Sequence, residues 1–223
     1  MLFRSLPGTG YAYTVTAFDA AGNESPPPAA LQVNTPAAGA TLFEDGFESG
    51  TLNAWTNVNG LTVQPALVFD GGWAARATST GTPTYAYGHL SSTASTVTYS
   101  LDFLIASQGA NNVNLLRFRT ASGGSLGAVY VTSSDRLALR NDVANASTTS
   151  TTTVTQGVWH ELTVQFTVGD ATGSSESITF DGAPALSRTD TLGTSPVGIV
   201  QLGESQNSRT YDIAYDDVQV TSP

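Results

Sequence analysis

The chain has 223 residues and a formal net charge of -10, from 18 acidic and 8 basic residues, and every basic residue is arginine. This acidity disfavours nonspecific binding to nucleic acid, and no apolar run approaches the roughly 18 to 20 residues that a membrane-spanning helix needs. With 223 residues, no cysteine and only 12% charged residues, the chain is long enough to bury a substantial core without disulfide bonds. Its richness in Thr, Ser, Gly and Asn, without Cys or Lys, favours a secreted bacterial module at an extracellular location or the cell surface.

Residues 1–35 predict two short strands joined by a turn. Residues 11–19 alternate in polarity, Gly22-Asn23 marks a turn, and residues 31–33 form a second apolar stretch. The tyrosine-bearing strand and the Ala-Gly-Asn-Glu-Ser loop after it resemble the last two strands of a fibronectin type III domain. Because such a sandwich has about seven strands, this resemblance implies a truncated C-terminal hairpin, and residues 36–40 read as a Pro/Ala/Gly linker.

Residues 41–223 form the second predicted domain, in which strands and turns follow each other without a long helix. Residues 97–105 alternate as in a strand with one buried face, and residues 147–155 are typical of an edge strand or a loop. Turns are predicted at residues 70–72, 122–124, 133–135 and 181–182. About twelve strands in this length predict an all-β fold, a two-sheet antiparallel jelly-roll sandwich.

The hairpin at residues 157–182 carries the strongest family signal. Trp159-His160 opens one alternating strand, and Phe180-Asp181-Gly182 ends the next in a tight turn. This pair resembles the hairpin of laminin-G and concanavalin A-like domains. The resemblance implies recognition of glycans or matrix proteins.

A second resemblance concerns the beginning and the end of this domain. The opening Phe-Glu-Asp-Gly-Phe-Glu-Ser-Gly and the closing Tyr-Asp-Asp-Val are similar to those of β-sandwich carbohydrate-binding modules with a structural Ca²⁺ ion. By that resemblance Glu48 and Asp216 would supply carboxylates and the loop of Gly72 would supply backbone carbonyls. Asp45 stands near this site, where the family has another residue.

The position of Asp216 gives an argument that does not depend on the resemblance. Asp216 shares a strand face with Ala214, Val218 and Val220, so a buried face would enclose its carboxylate at a cost. A Ca²⁺ ion, which prefers oxygen ligands, would relieve that cost. The alternative is that Asp216 accepts backbone N–H bonds while Asp45 and Glu48 are solvated.

The central strands predict a polar face that could bind a ligand. If their apolar residues face the core, four of the eight arginines project from adjoining strands together with a tyrosine: Arg117, Arg119, Arg136, Arg140 and Tyr130. Such a cluster would suit carboxylated or sulfated sugars, because guanidinium groups bind oxyanions in pairs of hydrogen bonds. The alternative is a solvated face.

Aromatic side chains are the other candidates for ligand contact. Trp73, Tyr85 and Tyr87 are predicted to stack on sugar rings, although most aromatic residues of a sandwich only pack. We therefore expect a polysaccharide or glycan as partner and predict that the chain is not an enzyme, with no catalytic residue. Two alternatives stay open: a domain that binds an extracellular protein, and a polysaccharide lyase, which would need a tyrosine or histidine beside arginine in a groove.

Overall fold

The computed structural model describes residues 9–34, 39–169 and 173–223. The chain divides into two compact units, residues 1–40 with Pro223 and residues 41–222. The described segments contain strands and turns, and none holds a helix that could cross a membrane. The strands are β1 (Gly10–Tyr13), β2 (Leu31–Asn34), β3 (Ala40–Asp45), β4 (Thr56–Asn59), β5 (Thr62–Gln64), β6 (Ala74–Thr80), β7 (Thr84–Ala94), β8 (Thr96–Gln108), β9 (Val113–Thr120), β10 (Ser125–Val131), β11 (Arg136–Asn141), β12 (Ala146–Thr153), β13 (Trp159–Thr167), β14 (Ser175–Phe180), β15 (Ala183–Thr189), β16 (Val197–Glu204) and β17 (Thr210–Ser222).

The first unit contains the predicted hairpin. β1 and β2 pair antiparallel, with Tyr11 opposite Val33, and Phe18 forms an isolated bridge with Glu24 across the turn. The paired part of the first strand is shorter than the alternating sequence indicated. The fibronectin type III resemblance stays a prediction, and most of the predicted linker, residues 36–38, lies outside the described residues.

The second unit is a sandwich of two antiparallel sheets. The seven-stranded sheet has the order β12-β11-β10-β9-β16-β7-β4, and the eight-stranded sheet has the order β15-β14-β13-β8-β17-β6-β5, with β3 also paired to β17. This confirms the all-β, two-sheet prediction. The described residues from β3 onward form fifteen strands, not about twelve, because strands as short as β4 and β5 carry no alternation that a sequence pattern could detect.

The core lies between the two sheets and includes the apolar residues that alternation had assigned to it. Phe118 of β9 stacks on Phe166 of β13, with ring centroids 4.2 Å apart, so the two sheets meet through this pair. Tyr99 of β8 packs edge-on against Phe118. The inner faces are thereby filled, and the alternating polar residues of β9, β10 and β11 must point outward.

The hairpin of β13 and β14 forms where the family signal predicted it. Leu162 pairs with Phe180, and residues 181–182 make the tight turn that leads from β14 into β15. His160 is buried, with Nδ1 2.8 Å from Oδ2 of Asp181 and Nε2 3.0 Å from the carbonyl oxygen of Thr155. Both ring nitrogens are used in these contacts, so His160 braces the hairpin.

Candidate functional site

The outer face of the seven-stranded sheet carries a row of mostly polar residues. Residues directly opposite each other on neighbouring strands share a face, and the registers place Arg140 opposite Ala128, Ala128 opposite Arg117, Arg117 opposite Gln201, and Gln201 opposite Tyr87. The row therefore crosses β11, β10, β9, β16 and β7. It joins arginines and an aromatic residue that the sequence presented as separate candidates.

A groove of about 290 Å³ opens on this face and is called the arginine groove here. Polar side chains dominate its walls, and three of them are arginines. Its lining residues are Asn112, Asn114, Arg117, Tyr130, Arg140, Asp142, Ser147, Glu204, Gln206 and Arg209.

Two arginines of the groove share one carboxylate. Oδ2 of Asp142 accepts hydrogen bonds from Nη1 of Arg117 at 2.8 Å and from the Ser125 hydroxyl at 2.6 Å, while Oδ1 accepts from Nε of Arg140 at 3.3 Å. One negative charge thus faces two positive charges. Among the described residues Arg117 hydrogen-bonds through Nη1 alone. Its Nε is buried without an acceptor, and Nη2 remains available to an anion in the groove.

The other end of the groove is organised by a buried glutamate. Glu204 accepts hydrogen bonds from the backbone and side-chain nitrogens of Asn114 and from the backbone N–H of Gln206. Gln206 in turn accepts from Nη2 of Arg209 at 2.7 Å. These bonds hold the Glu204 carboxylate in the wall and connect Asn114 to Arg209.

Tyr130 lies half-buried among these groups. β10 is irregular just before it, between Val129 and Tyr130, and Tyr130 pairs with Asn114 of β9. Its hydroxyl makes no hydrogen bond with a described residue. The groove therefore combines a free phenol with an arginine that has a free donor.

Two further tyrosines lie on the same face beyond β16. The rings of Tyr85 and Tyr87 are 5.4 Å apart, and the guanidinium carbon of Arg119 is 4.9 Å from the centre of the Tyr87 ring. Arg119 also donates from Nε and Nη2 to the side-chain oxygen of Gln201. Burial lowers the pKa of Arg119 from its ordinary value. Arg119 therefore supports the tyrosine pair, and most of its donors are already engaged.

Arg136 and Trp73 lie apart from this cluster. Arg136, at the start of β11, donates from Nη1 to the carbonyl oxygen of Thr151 and does not line the groove. Trp73 is partly exposed on the loop before β6 of the other sheet, beside Gly50. The structure thus brings together Arg117, Arg140 and Tyr130, with Arg119, Tyr85 and Tyr87 on the same face.

The three carboxylates predicted to bind Ca²⁺ all accept hydrogen bonds from other groups of the protein. Glu48 accepts from the backbone N–H groups of Gly72 and Trp73, and the left-handed Gly71 (φ 71°) lets this loop pass so close that a Cβ there would lie 2.5 Å from the carboxyl carbon of Glu48. Asp45 accepts from the backbone N–H of Phe47 at 2.8 Å and from the indole of Trp55 at 2.7 Å.

Asp216 is fully buried, as its strand position predicted. Oδ2 accepts from the backbone N–H groups of Phe69 at 3.0 Å and Asp70 at 3.3 Å, and Oδ1 accepts from that of Asp217 at 2.9 Å. Burial still raises the pKa of Asp216 above its ordinary value. Among the described residues no three acids or histidines are close enough to hold a metal ion. Calcium binding stays a prediction.

Comparison with known proteins shows the fold. No protein-family model matches the sequence, and no curated protein matches it. An endo-β-1,4-glucuronan lyase from the fungus Trichoderma reesei is similar with a TM-score of 0.65 and 19% identity, covering 81% of this chain and 95% of that one. A PL-14 alginate lyase from Aplysia kurodai has a TM-score of 0.56 and 10% identity, over 83% and 98% of the two chains. A carbohydrate esterase of the Shiga toxin-encoding bacteriophage phi24B has a TM-score of 0.58 and 16% identity, over 82% and 97%.

These comparisons overturn the prediction that the chain is not an enzyme, because the β-sandwich it shares is the fold of two polysaccharide lyases and an esterase. The prediction was wrong because it rested on a resemblance to glycan-binding domains, and the same β-sandwich is also the fold of carbohydrate-active enzymes. The alternating arginines were a signal of the groove in the sequence. Its other polar residues come from distant segments that only the fold brings together: Asn114, Asp142, Glu204 and Arg209.

Proposed function

We propose that the arginine groove is the active site of a lyase that cleaves acidic polysaccharides by β-elimination at a uronic acid. The observation that carries this proposal is the juxtaposition of Arg117, which has a free Nη2, and Tyr130, which has a free hydroxyl, in one groove. The likeness in fold to a glucuronan lyase and an alginate lyase supports it. An extracellular location and a fibronectin type III segment at residues 1–35 remain expectations that fit such an enzyme.

Arg117 would bind the carboxylate of the sugar at which the chain is cut. β-Elimination begins with removal of the proton at C5, next to that carboxylate, and negative charge builds up on the carboxylate as the proton leaves. A guanidinium fixed by Asp142 and Ser125 is pre-oriented to stabilise this charge. Arg140 shares the carboxylate of Asp142, so the groove retains net positive charge at this point.

Tyr130 would transfer the proton. As a phenolate it accepts the C5 proton, the electron pair forms the C4–C5 double bond, and the bond from C4 to the glycosidic oxygen breaks. The phenol so formed returns the proton to that oxygen, which leaves as a hydroxyl group. No water is consumed, and the products are a free sugar end and an unsaturated uronate.

The experiment incubates the full chain with polyglucuronate, alginate and polygalacturonate and follows the ultraviolet absorbance of the unsaturated product. Tyr130→Phe should lower kcat by about 10²- to 10⁴-fold and Arg117→Gln by about 10²- to 10³-fold. The matched controls are Tyr13→Phe, in the first unit, and Arg136→Gln, outside the groove. Full activity in Tyr130→Phe would remove the proposed role of this residue, and absence of unsaturated product from every acidic polymer tested would refute the lyase.

A further inference from the structure

We propose that Arg209 binds a second carboxylate of the same polysaccharide, so that the groove selects polymers with uronic acids on neighbouring sugar residues. This inference rests on the proposed function of the arginine groove. It adds a substrate class and a specificity-determining residue.

The charge of Arg209 is not balanced by an acidic residue in the described part of the chain. Among the described residues no carboxylate forms an ion pair with it, and its one side-chain partner is the neutral Gln206. Nε is enclosed without an acceptor, and Nη1 makes no hydrogen bond with the described residues. A half-buried guanidinium with an open donor is a strong binding position for an oxyanion.

The segment that carries Arg209 is held in place. The carbonyl oxygen of Arg209 accepts from the Ser79 hydroxyl at 3.0 Å. The neighbouring Ser208 donates its backbone N–H to Gly81 and accepts from the side chain of Asn111. These contacts fix the loop before β17, so little order has to be gained when a ligand binds.

Arg117 and Arg209 are anchored at different places. Arg117 is tied to Asp142 and Ser125, whereas Arg209 is tied through Gln206 and Glu204 to Asn114. Asn114 lies three residues from Arg117 along β9, or about 10 Å of extended strand. The two arginines therefore have separate anchors, and each can bind a carboxylate of its own.

This arrangement discriminates between two kinds of acidic polymer. A homopolymer of uronic acid carries a carboxylate on every sugar and can satisfy Arg117 and Arg209 together. A copolymer in which uronic acid alternates with a neutral sugar leaves Arg209 without an anion when Arg117 is engaged. The proposal places Arg209 at the second carboxylate and Tyr130 at the reacting atoms, so the difference should appear in binding.

The test compares the parent, Arg209→Gln and the control Arg136→Gln on polyglucuronate and on a copolymer that alternates glucuronic acid with a neutral sugar. Arg209→Gln should raise KM for the homopolymer by roughly 10- to 100-fold with little change in kcat, and should leave the copolymer unaffected. Arg209→Lys, which keeps the charge, should recover part of the loss. Melting temperatures identify any variant that fails to fold.

Equal effects of Arg209→Gln on the two polymers, or no effect on either, would overturn the inference while the lyase proposal stands. If the parent cleaves neither polymer, the lyase proposal fails, and calorimetric titration with glucuronate oligomers still decides the role of Arg209. A loss of affinity in Arg209→Gln alone supports the second carboxylate position. Unchanged affinity, or no binding to the parent, removes it.

Discussion

Two tyrosines of the core carry hydroxyl groups that have no hydrogen-bond partner among the described residues. Tyr99 and Tyr215 are fully buried, and burial raises the pKa of both hydroxyls above the ordinary value. An unpaired buried hydroxyl costs about 1 to 3 kcal/mol. Tyr215→Phe removes the oxygen and keeps the ring, so the free energy of unfolding should rise by about this amount. For a domain of this size that corresponds to roughly 2 to 4 °C in Tm for each kcal/mol.

Tyr211 is the matched control, because it lies on the same strand and its hydroxyl is satisfied. That hydroxyl is 2.6 Å from the hydroxyl of Thr84 and accepts the backbone N–H of Thr84 at 3.1 Å. Tyr211→Phe should therefore lower stability by about 1 kcal/mol. Thermal and urea denaturation of Tyr99→Phe, Tyr215→Phe and Tyr211→Phe measure all three. If Tyr215→Phe destabilises as much as Tyr211→Phe, its hydroxyl has a partner and the reasoning fails.

Three other predictions concern the pH response, calcium and the tyrosine pair. Arg76 holds the pKa of Asp212 below its ordinary value of 3.8, so the stability that this pair contributes is full above about pH 4 and is lost as the pH falls below it. Asp212→Asn should lower the free energy of unfolding by about 1 kcal/mol above pH 4 and leave it unchanged at lower pH, as measured by urea denaturation at several pH values. Calcium should raise Tm because a ligand that binds the native state stabilises it, and Asp216→Asn should abolish that rise. Equal Tm values of the parent in calcium and in EDTA would leave Asp216 with a hydrogen-bonding role only. Tyr87→Ala should weaken the binding of long glucuronate oligomers by about 1 kcal/mol more than that of short ones, whereas Trp73→Ala should not. If calorimetry gives the same affinities for Tyr87→Ala as for the parent, the tyrosine pair does not belong to the binding face.

The sandwich could be predicted because one physical rule governs most of its strands. A strand with one face in the core must alternate, so β8 and β13 were visible in the sequence, with the Asp181-Gly182 turn at the end of β14. The same rule fails for β4 and β5, which are too short to show a period. It also says nothing about strand order, since β16 lies between β9 and β7 although it follows them by many residues.

The candidate site was predictable to the same extent. Alternation within β9, β10 and β11 placed Arg117, Tyr130 and Arg140 on one outer face, and the structure gathers them in one groove. The same alternation also selected Arg136, which donates a hydrogen bond to the edge strand β12 and lies outside the groove. Alternation gives the face on which a residue lies but not its position on the sheet. Arg209 was missed because its segment has no period at all.

Salt dependence offers a test of how the groove acts within an acidic protein. The chain has a formal charge of -10, but the arginine groove has three arginines against Asp142 and Glu204. A polyuronate is therefore repelled at long range and attracted at contact. Electrostatic interactions extend over about 30 Å at 0.01 M salt and about 10 Å at 0.1 M, so added salt first removes the repulsion.

At higher salt the contacts with the arginines are themselves screened, and binding weakens. We therefore expect kcat/KM for polyglucuronate to rise and then fall as salt increases from about 0.01 M to 1 M. The arginines alone would give a steady fall, and a steady fall measured for the full chain would mean that the groove dominates the field at all distances. Arg117→Gln should lower kcat/KM at every salt concentration and keep the initial rise, because the long-range repulsion comes from the net charge of the whole chain and not from the groove.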